Sequence, residues 1–110
     1  MGLFIFSMKL SIIGVGAMGG AMLDGFLQSG KFQASDLYIS NPHTERLAAY
    51  AEQGVKVSSD NRTAAAWGDI VFVVVKPWLV ESVMEEISDV LDAERQTVVV
   101  VAAGLKAEQL

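Results

Sequence analysis

The chain predicts an α/β domain built on a doubly wound, Rossmann-like parallel sheet with strand order 3-2-1-4-5. Three observations carry this expectation. Apolar runs alternate with segments of helical period from Leu10 to Val101. The first run passes into the first helical segment through Gly14-Val15-Gly16-Ala17-Met18-Gly19. The chain has 110 residues, 52% of them apolar, which suits one domain with its own core.

Leu10–Ile13 reads as the first strand, of the type buried on both faces. Met18, Met22 and Phe26 recur at intervals of four with Leu23 and Leu27 beside them, a helical stripe expected to face the core. Gly25 within that helix costs about 1 kcal/mol against alanine, so close packing is expected there. Gly30 is placed to end the helix. Leu37–Ser40 is the second strand. Asn41-Pro42 reads as a helix entrance, Asn as cap and Pro at the first position, with the helix running to about Gln53 and ending at Gly54. Val55–Val57 is a short third strand and Thr63–Trp67 a brief helix or turn. Ile70–Val75 is the strongest strand, stopped by Lys76-Pro77. Val80, Val83, Met84, Ile87 and Leu91 mark the next helix, Thr97–Val101 the fifth strand, and Leu105–Leu110 the start of another helix. Residues 1–7 form an N-terminal extension without an assigned role, and residues 8–110 form the nucleotide-binding domain. The first seven residues are too short for a signal peptide, and no apolar run reaches the length of a membrane span.

Composition excludes several functions. Cysteine is absent, which removes disulfides and thiolate metal sites and fits a reducing, cytoplasmic setting. Thirteen acids against eight bases give a net charge of −5, a poor match to nucleic acid. The late acids Glu81, Glu85, Glu86, Asp89, Asp92 and Glu94 read as a solvated helix face. His43 is the single histidine, so no Ser-His-Asp set can be assembled without it, and no metal-ligand cluster stands out in the sequence.

Ligands of doubly wound sheets bind at the carboxyl ends of the strands, where strand order reverses. The loops there are Gly14–Gly19, Asn41-Pro42, Lys76-Pro77 and Ala102-Ala103-Gly104. In the glycine loop the first glycine permits a tight turn, the second lets a pyrophosphate approach the backbone, and the third lets helix and strand pack closely. The helix start adds N–H groups and partial positive charge. NAD-binding folds place an acid about 20 residues on, to hold the ribose. Here Ser40, Asn41 and Pro42 stand in its place. Ser40 and Asn41 can donate to a 2′-phosphate that a carboxylate would repel, which favours NADP, with NAD as the alternative. His43 reads as an exposed first-turn residue; Arg46 reads equally well as that or as a phosphate partner.

Read together, these loops resemble the N-terminal domain of pyrroline-5-carboxylate reductase. The stretches that carry the resemblance are IIGVGAMGGAMLDGFLQSG, the SNP after the second strand, Asn61 in GVKVSSDNRTA, DIVFVVVKP and VVVVAAGLKAEQL. The resemblance spans residues 8–110. It implies NAD(P)H-dependent reduction of 1-pyrroline-5-carboxylate to L-proline, in proline biosynthesis. It also implies cofactor contacts at Ile13, Gly14, Val15, Gly16, Ala17 and Met18 for the pyrophosphate, beside Gly19 of the glycine loop, and at Asn41 for the adenosine side. Further implied contacts are Asn61, Val74, Val75, Lys76 and Pro77, and Val101, Ala102 and Ala103 near the nicotinamide. No catalytic residue is assigned. Trp78 departs from the family, which often has Gln there. The family continues into a Met-Pro-Asn segment and a helical domain that makes the dimer and much of the substrate pocket. That domain is missing after Leu110, so the 110 residues alone are expected to bind cofactor weakly and to turn nothing over. Val98–Val101, as a sheet edge, is expected to favour pairing with another copy. A 3-hydroxyisobutyrate-type dehydrogenase fragment, which Lys76-Pro77 fits poorly, and a non-catalytic nucleotide-sensing module are the alternatives.

Overall fold

β1 (Leu10–Ile13) is buried along its whole length at the centre of a five-stranded parallel sheet. β2 (Leu37–Ser40) and β4 (Ile70–Val73) flank it, so that Ile12 lies between Ile39 and Phe72. β3 (Lys56–Ser58) pairs outside β2, and β5 (Thr97–Val100) outside β4. The order is β3-β2-β1-β4-β5, as the alternation of elements predicts. In this computed structural model the described residues are 8–14 and 16–101. Residues 1–7, Val15, the Ala102-Ala103-Gly104 turn and the expected helix start at Leu105–Leu110 lie outside them.

Alternate side chains of β1 serve opposite layers, as the two-residue period of a strand requires. Leu10 and Ile12 join Leu23, Leu37 and Ile39 beneath α1 (Ala17–Gln28). Met22, Phe26 and Leu27 pack against that cluster, and the Phe26 ring meets Phe32 edge-on at 5.4 Å and Phe72 at 5.7 Å. Ile13 joins Ala64, Ala65, Val71, Val73, Val83 and Ile87 on the other face, under α3 (Asn61–Trp67) and α4 (Val80–Ile87). The polar member of β1, Ser11, is fully buried, and its hydroxyl donates to the Ala64 carbonyl at 2.6 Å.

Two side chains from the turn before β5 close the C-terminal end of α3. Gln96 is buried, and its amide donates to the carbonyls of Ala65 and Gly68, both at 2.6 Å, while its oxygen accepts from the Asp92 amide at 2.7 Å. Arg95 donates to the Ala66 carbonyl at 2.8 Å and pairs with Asp69 at 3.0 Å. At the other end of α3, the Asp60 carboxylate caps the helix, accepting from the Arg62 and Thr63 amides and the Thr63 hydroxyl.

Several sequence expectations shift. Gly30, at φ +75°, follows the α1 cap Ser29 as expected, but among the described residues nothing lies within 4 Å of a side chain built on Gly25, so close packing there does not explain that glycine. Met18 is 45% exposed, so the helical stripe begins at Met22. Asn41-Pro42 does not open a helix. The Asn41 amide continues the sheet by donating to the Ser58 carbonyl at 3.1 Å, and its side chain donates to the His43 carbonyl. Helical structure starts only with a 3-10 turn at Thr44–Leu47 that runs into α2 (Ala48–Glu52). β3 lies one residue later than expected, α3 starts two residues earlier, and β4 stops at Val73. The late acids are more than a solvated face: Asp89 pairs with Arg62, and Glu86 accepts from Asn61. β5 is an edge among the described residues, with Val99 and Val100 exposed.

Two predictions follow from these contacts. Gln96→Ala leaves the carbonyls of Ala65 and Gly68 without that donor and should cost about 2 kcal/mol, read from the midpoint of urea denaturation. The second concerns acid. Bonds from the Thr63 hydroxyl and backbone, and then from the Arg62 backbone, hold Asp60 below its ordinary carboxylate value; the Arg62 guanidinium does the same for Asp89. A depressed folded-state value contributes stability that is present above the unfolded value and lost as pH falls through the folded one. The melting temperature should therefore drop on acidification below about pH 4. Asp60→Asn keeps a capping side chain but removes one titrating group, and should flatten that slope in melts followed by circular dichroism.

Candidate functional site

A cleft of about 760 Å³ opens at the carboxyl ends of β1, β2 and β4, where the strand order reverses. Its floor is made of backbone. Gly14, at φ +94°, donates its amide to the Ser40 carbonyl at 2.9 Å, and the Val74 amide donates to the Ile13 carbonyl at 2.8 Å. A Cβ on Gly14 would collide with the Val74 carbonyl, and one on Gly19 with the Gly14 carbonyl. The first and third glycines are therefore required by the packing of β1, β4 and α1 on one another.

Gly16 differs. Among the described residues nothing lies within 4 Å of a side chain built there, so this glycine leaves open space among them at the mouth of α1. Gly16 is also the N-cap of this twelve-residue helix, with no side-chain cap and no acid in the first turn. The leading amides of α1 thus keep their hydrogen-bonding capacity and partial positive charge for whatever enters the cleft. An open cradle of this kind fits a pyrophosphate.

The remaining walls come from three elements. The β2 end supplies Ser40, Asn41, Pro42 and His43; α3 supplies Asn61; the chain after β4 supplies Val74, Val75 and Lys76, followed by Leu79 and Val83. Lys76 has ψ 147°, the extended form that a following proline imposes, and its carbonyl accepts from Leu79 as the 3-10 turn Pro77–Leu79 begins. No Asp or Glu is among the described residues lining the cleft, although the chain as a whole is acidic. His43 lies at 3.7 Å from Glu45, at the outer rim.

Of the residues named from sequence, Ile13, Gly14, Gly16, Met18, Gly19, Asn41, Asn61, Val74, Val75 and Lys76 come together in this cleft. Pro77 and Val101 are not among its lining residues; Val101 continues the sheet by donating to the Val73 carbonyl at 2.9 Å. Val15, Ala102 and Ala103 lie outside the described residues, and so does the side chain of Ala17, whose backbone opens α1. The Arg46 side chain is likewise outside them. Ala21, Leu79 and Val83 line the cleft without having been expected there. Leu79 and Val83 are four residues apart, a spacing that puts both on one helical face, but a stripe alone does not say whether that face meets core or cleft.

Ser40 does not act as the donor expected of it. Its residue is fully covered, and its single hydroxyl proton goes to Asn61 Oδ1 at 2.6 Å. The Asn61 amide nitrogen in turn donates to Glu86 Oε1 at 2.9 Å. Asn61, half-buried, is thus the polar side chain of this trio that meets the cleft.

The family described as NADP oxidoreductase coenzyme F420-dependent matches residues 9–104. The chain is similar to pyrroline-5-carboxylate reductase 3 of Danio rerio, 33% identical over 101 residues, covering 92% of this chain and 35% of that relative. Among solved structures it is similar to a pyrroline-5-carboxylate reductase from Coxiella burnetii, with a TM-score of 0.82, 26% identity, and coverage of 94% of this chain and 38% of that one. It is also similar to an imine reductase from Myxococcus stipitatus in complex with NADP+, with a TM-score of 0.72, 25% identity, and coverage of 87% and 32%. The chain spans little more than a third of the length of two curated relatives it matches, 35% and 38%.

The contrast among the glycines is testable. Gly16→Ala should leave the melting temperature within a degree or two of the parent, since its methyl group meets only open space. Gly19→Ala should lower it markedly, since its methyl group meets the backbone of Gly14. Equal effects at the two positions would contradict this geometry.

Proposed function

The chain belongs to the NADP oxidoreductase, coenzyme F420-dependent family, and from that membership we propose that it forms the dinucleotide-binding part of a pyrroline-5-carboxylate reductase. The reaction is the NAD(P)H-dependent reduction of 1-pyrroline-5-carboxylate to L-proline. The observation that carries the reading is the open cradle at Gly16, facing the uncapped start of α1 in a cleft free of lining acids among the described residues. Relatives named for pyrroline-5-carboxylate and imine reduction support a C=N bond as the reacting group.

When bound, the dinucleotide would supply hydride chemistry. The chain's own residues bind and orient. The α1 amides and the bare backbone at Gly16 take the pyrophosphate. Asn41, His43 and Asn61 serve the adenosine side. Val74, Val75 and Lys76 border the nicotinamide side, where Leu79 and Val83 exclude water. Uncharged Asn41, where NAD-binding folds place a carboxylate, favours NADP. Proton delivery to nitrogen, most of the substrate pocket and the contacts of a homodimer or larger oligomer are assigned to the helical domain that the resemblance implies, outside the described residues. A cytoplasmic location completes the proposal.

Calorimetric titration of the chain with NADPH and NADH tests the reading. NADPH should bind more tightly, Gly16→Val should abolish binding of both, and Asn41→Asp should weaken NADPH about tenfold or more while sparing NADH, by charge repulsion at the 2′-phosphate. Binding of neither dinucleotide would end the proposal, and an unchanged preference in Asn41→Asp would end its NADP component.

A further inference from the structure

We propose that Glu86, on α4, is a positioning residue that works through Asn61: together with Ser40 it locks the Asn61 amide in one orientation toward the adenosine ribose. This rests on reading the cleft as a dinucleotide site.

An ionised carboxylate has only acceptors to offer, so the Asn61 group facing Glu86 Oε1 at 2.9 Å is its NH2. The opposite end of the amide then presents Oδ1 to Ser40, whose one hydroxyl proton goes to it at 2.6 Å. Ser40 and Glu86 thus address the two ends of one amide from two elements, β2 and α4. Turning the amide over would set a carbonyl oxygen against a carboxylate, a pairing of two acceptors.

Capping α3 does not require this arrangement. The start of that helix is already capped by Asp60, which accepts from the amides of Arg62 and Thr63. The Asn61 side chain, at the first helical position, is therefore left for another task. The backbone that carries its carboxylate partner is tied down as well: Arg62 donates to the Glu86 main-chain carbonyl at 3.1 Å and pairs with Asp89 one turn on.

The orientation has a chemical consequence. After the bonds to Ser40 and Glu86, Asn61 retains one N–H and one oxygen lone pair. A fixed donor beside a fixed acceptor complements sugar hydroxyls, each of which both gives and takes a proton. A phosphate oxygen only takes. Asn61 is thereby assigned to ribose, which both dinucleotides share, and the choice between them is left to Asn41 and His43.

The test is calorimetric titration with NADPH and NADH of the parent chain, Glu86→Leu, Glu86→Gln, Asn61→Ala and the Glu86→Leu/Asn61→Ala double variant. Melting temperatures are recorded for each. Glu86→Leu should weaken both dinucleotides about three- to tenfold by the same factor, without a comparable loss of melting temperature, because Glu86 is exposed. Glu86→Gln should restore most of the affinity, since its carbonyl still accepts from Asn61. In the Asn61→Ala background, Glu86→Leu should have no further effect. Failure of the parent chain to bind either dinucleotide would defeat the underlying reading of the cleft. Binding by the parent with an unchanged Glu86→Leu, or additive losses in the double variant, would overturn the positioning role alone.

Discussion

The whole arrangement depends on a place where three backbones meet without side chains between them. At the end of β1, the Gly14 amide reaches the Ser40 carbonyl, while its α-carbon lies against the Val74 carbonyl and its own carbonyl against Gly19. β2, β4 and α1 can converge there only because Gly14 and Gly19 lack side chains. Gly14 also holds φ +94°, where a side chain is strained whatever the space. That convergence fixes where the strand order reverses. It therefore fixes where the cleft opens and sets the first turn of α1 at its edge.

The sheet was legible because its driving signal is local. Continuous apolar runs at Leu37–Ser40 and Ile70–Val75 announce strands covered on both faces, and the helical segments between them require parallel crossovers. What could not be read were the ends, and each miss has a tertiary cause. Val74 and Val75 have the composition of strand, but the ladder ends as the chain bends past Gly14, leaving them to line the cleft. Asn41-Pro42 has the chemistry of a helix entrance, but Asn41 is held by Ser58 in the neighbouring strand, and the helix waits until Thr44. Met18 matches the helical stripe and still faces out, because the first turn of α1 overhangs the cleft instead of the sheet. Nothing in the structure explains Gly25.

Charge was the least legible property. A net excess of acids says what the chain repels, not where its acids point. Asp60 caps α3, Asp69 receives Arg95 beside the Lys9 amide at the opposite end of the sheet from the cleft, and Asp89 pairs with Arg62. These acids are used up in holding helices and strands together, and the cleft stays clear of them among the described residues. Sequence spacing could not have revealed this: the partners Arg62 and Asp89 are 27 residues apart, Asp69 and Arg95 26. Gln96 was missed for the same reason. Its role, closing the end of α3, exists only once β5 has been laid beside β4.

The helix α4 gives these separate features a common frame. It follows directly from Lys76-Pro77, and its N-terminal part, Leu79 and Val83, faces the cleft beyond β4. Val83 and Ile87 are buried against the sheet, so α4 is set on the same core that holds β1 and β4. Its last turn and the residues after it hold the start of α3 through Glu86 and Asp89. The wall after β4 and the Asn61 side chain beyond β2 are thus spaced by one short, well-packed helix instead of by two independent loops. A dinucleotide is long and its two ends must be seated together. A rigid strut between the walls that would receive them removes part of the ordering cost that separate loops would impose on binding. By the same argument, a change in α4 that leaves its core face intact should be felt first in how the cleft holds a ligand, and only then in the stability of the fold.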